Sequence, residues 1–194
     1  MRITDMRLDT GDLILFREEC SWLDWVRMLF HVPVEHIGVI LRNPVWDGET
    51  REGLYIAHTI WSSCAEPQFY IDIEPLHLYI RKMDYTASVR LLHTSKIDAK
   101  EKMIHICDRL HHSNDPETIR ATSKRLLLYN SFNSPLIPIN WASAFIAAVY
   151  DVAGILGPFI IANRVVPDDF SSWYEYRLNF AELSHEIPIH FEQL

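Results

Sequence analysis

The chain has few of the cysteines that mark secreted or zinc-binding proteins. Among its 194 residues there are three, Cys20, Cys64 and Cys107. Their odd number and wide spacing fit neither a disulfide framework nor a zinc site. The first residues, MRITDMRLDTGD, are too polar for a secretory signal. We therefore expect a reducing, cytoplasmic compartment.

Positive charge and long apolar runs are also scarce. Lys and Arg number 18 against 26 Asp and Glu, which gives a formal net charge of −8. Without a basic stripe the chain lacks what binding to a phosphate backbone requires, so nucleic acid is not an expected partner. The most apolar segment, 154–162, is interrupted by Gly157 and Pro158. It falls short of the roughly 20 residues that span a bilayer. We predict no transmembrane segment and leave peripheral membrane contact open.

Apolar and aromatic residues, in contrast, are plentiful. They make up 48% and 12% of the chain, which excludes disorder and low complexity. A chain of this length corresponds to one domain, and such a domain buries about 70% of the surface that its unfolded form exposes. We therefore predict a single domain over residues 1–194.

The pattern of apolar residues changes between the two halves of the chain. In the first half, short β-rich runs predict strands over 12–16, 36–41, 54–60, 69–76 and 88–93. One helix is predicted at 21–30 and a hairpin loop at 43–53. In the second half, helical spacing predicts helices over 97–112, 116–128 and 140–152. The sequence therefore predicts an antiparallel sheet with helices added to it.

The predicted helix at 140–152 is the first candidate for a functional element. It is apolar nearly all round, which is typical of a buried helix, and its first turn is built from Ala142, Ser143 and Ala144. The unpaired N–H groups and the positive dipole end at such a start lower the pKa of a thiol and can hold an oxyanion. Tight packing of small residues against a sheet explains the same pattern.

Two histidines on neighbouring predicted strands form the second candidate. His36 begins one strand and His58 lies within the next, so a hairpin brings the two imidazoles onto one face. One imidazole that orients another makes a general base near neutral pH. Hydrogen-bonded core histidines are the alternative interpretation. The other histidines match no firm ligand spacing, so we predict neither a metal site nor a cofactor.

Several segments, in this order, resemble one known family. They are GDLI at 11–14, HIGVI at 36–40, the strand with His58, the small-residue helix start, YDVAGI at 150–155 and VPDDF at 166–170. The set resembles the circularly permuted papain-like cysteine hydrolases, which are similar to the NlpC-type amidases. That group includes YaeF/YiiX-like hydrolases, members from large DNA viruses and the lecithin:retinol acyltransferase-like enzymes.

The resemblance implies a fold and an assignment of roles. The implied fold is α+β, with a small barrel-like antiparallel sheet and helices packed on one side. It covers about 10–172 and leaves 173–194 as a C-terminal extension, for which an extra strand, a lid and a partner surface stay open. The implied roles are His36 as the base, His58 as the third residue that orients it, and position 142 as the nucleophile that opens a helix.

The chain departs from the family at the nucleophile. The family has cysteine where this sequence has Ala142, and alanine carries no nucleophile. Three explanations stay open: an engineered replacement of cysteine by alanine, a naturally inactive relative that only binds, and a nucleophile shifted to Ser143. A shift by one residue rotates the side chain by about 100° around the helix, which makes Ser143 the least attractive.

The resemblance implies a thiol hydrolase of the amidase or peptidase type that works through an acyl-enzyme. The chain with Ala142 is then expected to be inactive. The alternatives are a lipid-directed ester or thioester hydrolase or acyltransferase, and a non-catalytic binding module. The expected substrates are peptide, N-acyl or lipidated molecules, since amide and ester bonds both suit a Cys-His centre. Apolar segments at 22–30, 129–139 and 159–161 would give the site apolar walls, which favours a lipidated or acyl substrate.

Overall fold

A computed structural model describes most of the chain. The described residues are 7–18, 34–62, 68–82, 85–113, 141–157, 165, 167–172 and 178–189, and they form the architecture that follows. The predicted helices at 21–30 and 116–128 lie outside them, as do the apolar segments at 129–139 and 159–161. Cys20 and Cys64 also lie outside the described residues.

A six-stranded sheet forms the centre of the fold. Its strands are β1 (Leu13–Glu18), β2 (His36–Arg42), β5 (Leu54–Ser62), β6 (Gln68–Pro75), β7 (Tyr85–Arg90) and β10 (Ile187–Ile189). Their order is β10-β7-β1-β2-β5-β6, and every neighbouring pair is antiparallel. Two small antiparallel strand pairs accompany the sheet: β3 (Val45–Trp46) with β4 (Glu49–Thr50), and β8 (Leu92–Thr94) with β9 (Ala181–Leu183).

Three α-helices are present in the described residues. They are α1 (Leu76–Lys82), α2 (Ala99–Ser113) and α3 (Trp141–Val152), and a 3-10 helix follows at Pro167–Phe170. Helix α3 ends in a Schellman motif, because Ile155 N–H donates to Tyr150 O and Gly154 N–H donates to Asp151 O. Gly154 adopts a φ of 70°, which is the left-handed conformation that this motif needs and that glycine adopts without strain.

The sheet is covered on both faces. On the first face, alternate residues such as Leu13 and Val39 join α2 and α3 in one hydrophobic cluster, which we call the first core. On the second face, Ile14 and Ile40 join α1 in another cluster, which we call the second core. Helix α1 contributes its buried residues to the second core. These are Leu76, Tyr79 and Ile80.

This arrangement is α+β with a mostly antiparallel sheet, as predicted, but it corrects two details. The expected barrel-like closure is wrong, because β10 and β6 are the two open edges of the sheet. The expectation that the helices pack on one side is also wrong, because α1 packs on the face opposite to α2 and α3. The physical reason is that β1 and β2 are apolar on both faces, and a single layer of helices buries only one of them.

Described residues of the C-terminal extension form strands of the fold. β9 pairs with β8, and β10 pairs with β7 at the edge of the main sheet. Glu186, just before β10, accepts hydrogen bonds from Arg17 Nη2 at 3.0 Å, Ser88 Oγ at 2.7 Å and Ser172 N at 3.0 Å. An extra strand, a lid and a partner surface were the three alternatives for the extension, and its described residues form strands.

We expect Glu186→Gln to destabilise the protein by about 1–3 kcal/mol, because the neutral amide loses the charge-assisted hydrogen bonds that the carboxylate makes with Arg17. The side chains of both residues are 15% exposed. Burial alone would raise the pKa of Glu186, but its three hydrogen bonds and the Arg17 charge hold that pKa below its usual 4.5. The stabilisation is therefore complete above about pH 4.5 and is lost as the pH falls through the folded-state pKa.

Urea unfolding at pH 7 and at pH 3.5 would measure this difference. Glu182→Gln, on the exposed side of β9, is the matched control and should leave stability unchanged. Equal effects of the two substitutions, or a Glu186→Gln effect that grows as the pH falls, would contradict the assignment.

Candidate functional site

His36 and His58 lie together on the second face of the sheet. His36 is the first residue of β2 and is paired with Phe16, a member of the second core. His58 lies in β5, two residues after Ile56 of the same core. Nε2 of His36 lies 3.3 Å from Nδ1 of His58, and the two rings are perpendicular. One imidazole is therefore positioned to orient the other.

Two carboxylates extend this pair toward the edge of the sheet. Asp72 of β6 is directly opposite His58, and Glu74 lies two residues further on the same face. Oε1 of Glu74 is 3.5 Å from Nε2 of His58, and Oε2 of Glu74 is paired with Nζ of Lys82 from α1. Sequence reasoning missed both carboxylates, although the alternation in YIDIEP (70–75) does place Asp72 and Glu74 on one face of a strand.

Aromatic side chains cover the two imidazoles. The Tyr79 ring from α1 lies 4.3 Å from the His58 ring, centroid to centroid, and 6.4 Å from that of His36. Phe16 lies 6.0 Å from the His36 ring. The pair is therefore enclosed by apolar surface on the α1 side, while Asp72 and Glu74 keep part of their surface exposed.

This enclosure sets the protonation state of both imidazoles. Burial, with a smaller contribution from the neighbouring His58, lowers the pKa of His36 to about 3. Burial also lowers the pKa of His58, although Asp72 and Glu74 act in the opposite direction. Both rings are therefore neutral at pH 7, and each carries one N–H and one lone pair.

Ala142 lies in the other core. It is the second residue of α3, is 6% exposed and belongs to the first core together with Val34. The structure thus brings His36 and His58 together and places Ala142 on the face of the sheet that α3 covers. That Ala142 completes a site with the histidines stays a prediction.

Ser143 is unsuited to be a shifted nucleophile. Its side chain is fully buried, and its Oγ donates a hydrogen bond to the Val165 carbonyl oxygen at 2.6 Å. The hydroxyl therefore ties α3 to the segment before the 3-10 helix. In that helix Asp168 accepts a hydrogen bond from Val34 N at 2.6 Å, which fixes the chain two residues before His36.

Cys107 and Asp12 have structural roles. Cys107 is fully buried in the first core, and burial raises the pKa of its thiol, so it is not a reactive thiolate. Asp12 accepts hydrogen bonds from Asp9 N and Leu92 N, both at 2.7 Å, and so fixes the turn before β1.

Comparisons with known proteins assign no role to the residues of this site. No protein-family model matches the chain, and no curated protein matches it either. Among the described residues, no helix combines the length and the apolar character that crossing a bilayer requires.

We expect the neutral histidine pair to make the protein less stable as the pH falls. The unfolded chain binds a proton at His36 near pH 6.5, whereas the folded protein does so only near pH 3. Stability is therefore lost between those values, by up to about 1.4 kcal/mol per pH unit for this residue. His36→Asn removes the titrating group and should flatten the slope of unfolding free energy against pH between pH 6.5 and 5.

His112 is the comparison residue, because its pKa is shifted in the opposite direction. A hydrogen bond to the Asp108 carbonyl oxygen and the nearby Asp47 and Asp108 carboxylates raise the pKa of His112, so its contribution is lost as the pH rises. Urea titrations of the unmodified chain, His36→Asn and His112→Asn measure the three slopes. A His36→Asn slope equal to that of the unmodified chain would show that His36 is not held neutral.

Proposed function

We propose that the chain has the framework of a thiol hydrolase of the amidase or peptidase type, with Ala142 at the position of the nucleophile. The observation that carries the proposal is the 3.3 Å contact between His36 Nε2 and His58 Nδ1, with Glu74 behind His58. A second residue behind a catalytic imidazole fixes its tautomer and orientation. The circularly permuted papain-like fold that the sequence resembles is part of this proposal.

The proposed roles follow from the two nitrogens of His36. Nε2 faces His58, so Nδ1 is the nitrogen that would take the proton from a nucleophile. Because Ala142 lies in the first core and His36 on the second face, the proposal requires the His36 ring to reach the start of α3 around the end of the sheet at the start of β2. There, with a cysteine at position 142, His36 would accept the thiol proton, and the start of α3 would stabilise the thiolate. Backbone N–H groups at that helix start would hold the oxyanion.

The reaction would proceed in two halves. The thiolate sulfur bonds to the carbonyl carbon of an amide, the C–N bond breaks, and protonated His36 gives its proton to the leaving amine. Water then attacks the thioester, with His36 as general base, and releases the carboxylic acid and the free thiol. With Ala142 no sulfur is present, so the chain as it stands would bind such a substrate without cleaving it.

A non-catalytic binding module derived from the same fold is the second candidate. The alanine at position 142 favours it, and so does burial that lowers the pKa of His36 to about 3, because such an imidazole is a weak base. Both candidates would take a peptide or an N-acyl chain as ligand. They differ in whether a thiol restored at position 142 becomes reactive.

We expect Ala142→Cys to create a thiol that His36 activates. Alkylation by iodoacetamide at pH 7, located by peptide mass spectrometry, should be about tenfold or more faster in Ala142→Cys than in Ala142→Cys combined with His36→Asn. Peptide mapping separates the introduced thiol from Cys20, Cys64 and Cys107.

Ala144→Cys is the matched control. It places a thiol two residues along α3 on a partly exposed side chain, about 200° around the helix. Its alkylation rate should not change with His36→Asn. If His36→Asn leaves the alkylation of Ala142→Cys unchanged, the hydrolase framework is excluded and the binding module remains.

A further inference from the structure

We propose that His58, Asp72 and Glu74 form a binding site for a divalent metal ion of the Zn²⁺ class. One nitrogen of His58 and one carboxylate oxygen each of Asp72 and Glu74 lie within 4.8 Å of one another. All three side chains leave the sheet on its second face, from the neighbouring strands β5 and β6. This inference goes beyond the proposed hydrolase and does not require position 142.

The decisive observation is the state of His58 Nε2. The residue is 3% exposed, and its Nε2 atom is buried without a hydrogen-bond partner. Buried polar atoms in native proteins are nearly always satisfied, and an ion is one of the partners that complete an unsatisfied one. Because Nδ1 is engaged by His36, Nε2 is the nitrogen that points toward the carboxylates.

The distance between Nε2 and Glu74 fits two ligands of one ion better than a hydrogen bond. Oε1 of Glu74 is 3.5 Å from His58 Nε2, which exceeds ordinary N–H···O lengths. Zinc binds histidine nitrogen and carboxylate oxygen at about 2.0–2.2 Å in tetrahedral geometry, which separates two ligand atoms by about 3.3–3.6 Å. One carboxylate oxygen of Asp72 lies within 4.8 Å of both of these atoms and is the third ligand of the proposed site.

Each of the three ligands has a partner behind it, as metal ligands usually do. Nδ1 of His58 faces Nε2 of His36, Oδ1 of Asp72 accepts a hydrogen bond from Ile73 N at 2.9 Å, and Oε2 of Glu74 is held by Lys82. The imidazole and two carboxylates favour a first-row divalent ion such as zinc over the oxygen-only coordination that calcium prefers. The partly exposed carboxylates leave the ion a path from solvent.

A substitution of Lys82 should change the metal affinity in the direction opposite to substitutions of the ligands. The ammonium group of Lys82 neutralises Glu74 and competes with a cation for the same carboxylate. Lys82→Met removes that competition on an exposed side chain, so it should strengthen metal binding, whereas substitutions of the ligands should weaken it. A merely structural role of the cluster does not predict this reversal.

The experiment is a Zn²⁺ titration of the full, chelator-treated chain with Ala142 in place, read by a competing chromophoric chelator. We expect one ion per chain in the unmodified protein. Asp72→Asn and Glu74→Gln should each weaken binding by about tenfold or more. Asp72→Asn retains an oxygen for Ile73 N, so circular dichroism should show a folded protein even where His58→Ala does not fold.

Two exposed residues supply the controls. Glu101→Gln on α2 changes one acidic group elsewhere, and His112→Asn removes the surface pair with Asp47 that could hold Zn²⁺ weakly. Neither should alter the affinity. The proposal is overturned if the unmodified chain takes up no saturable Zn²⁺, if Asp72→Asn and Glu74→Gln bind as the unmodified chain does, or if His112→Asn abolishes uptake. None of these readouts involves an introduced thiol, so this proposal and the hydrolase can fail separately.

Discussion

The burial of β1 and β2 on both faces is the constraint on which the rest of the structure depends. Residues 13–16 and 37–41 are almost completely shielded, so each face of this pair needs its own layer of helix. The close packing of β2 also explains why residue 38 is glycine, because a Cβ at this position would lie 2.5 Å from Cδ1 of Ile56. A polar side chain that is buried on one face of the sheet needs a partner within that face. His58 of β5 is buried, and the partly exposed His36 is such a partner.

Much of the fold was predictable because short apolar runs bounded by turn residues are strands. Predicted 36–41 and 54–60 correspond to β2 and β5, and predicted 140–152 corresponds to α3. Helix α1 was missed because its seven residues continue the apolar run of β6 and show the i, i+3, i+4 pattern once, at Leu76, Tyr79 and Ile80. The sidedness of the sheet was not predictable, because strands apolar on both faces carry no alternation.

The residues of the candidate site also differ in how far the sequence could predict them. The histidine pair could be predicted, since two strands joined by a turn pair with each other and both side chains then have a defined face. Placing Asp72 and Glu74 beside His58 requires the register of β5 with β6, which the sequence pattern does not give. Ala142 was placed by resemblance to a helix start, and that resemblance carries no information on which face of the sheet α3 covers. The resemblance therefore did not predict that Ala142 lies in the first core while His36 lies on the second face of the sheet.

The contact between the two rings contains a single hydrogen, and its position links the two proposals. If His58 carries its hydrogen on Nε2, His36 donates to Nδ1 of His58 and retains a lone pair on its own Nδ1. If a cation occupies Nε2 of His58, the hydrogen lies on Nδ1 of His58, which donates it to Nε2 of His36. Neutral His36 then carries its own hydrogen on Nδ1, the nitrogen that would otherwise act as the base. Cation binding at His58 would thus remove the basic lone pair of His36 by tautomer exchange alone, without any movement of the backbone.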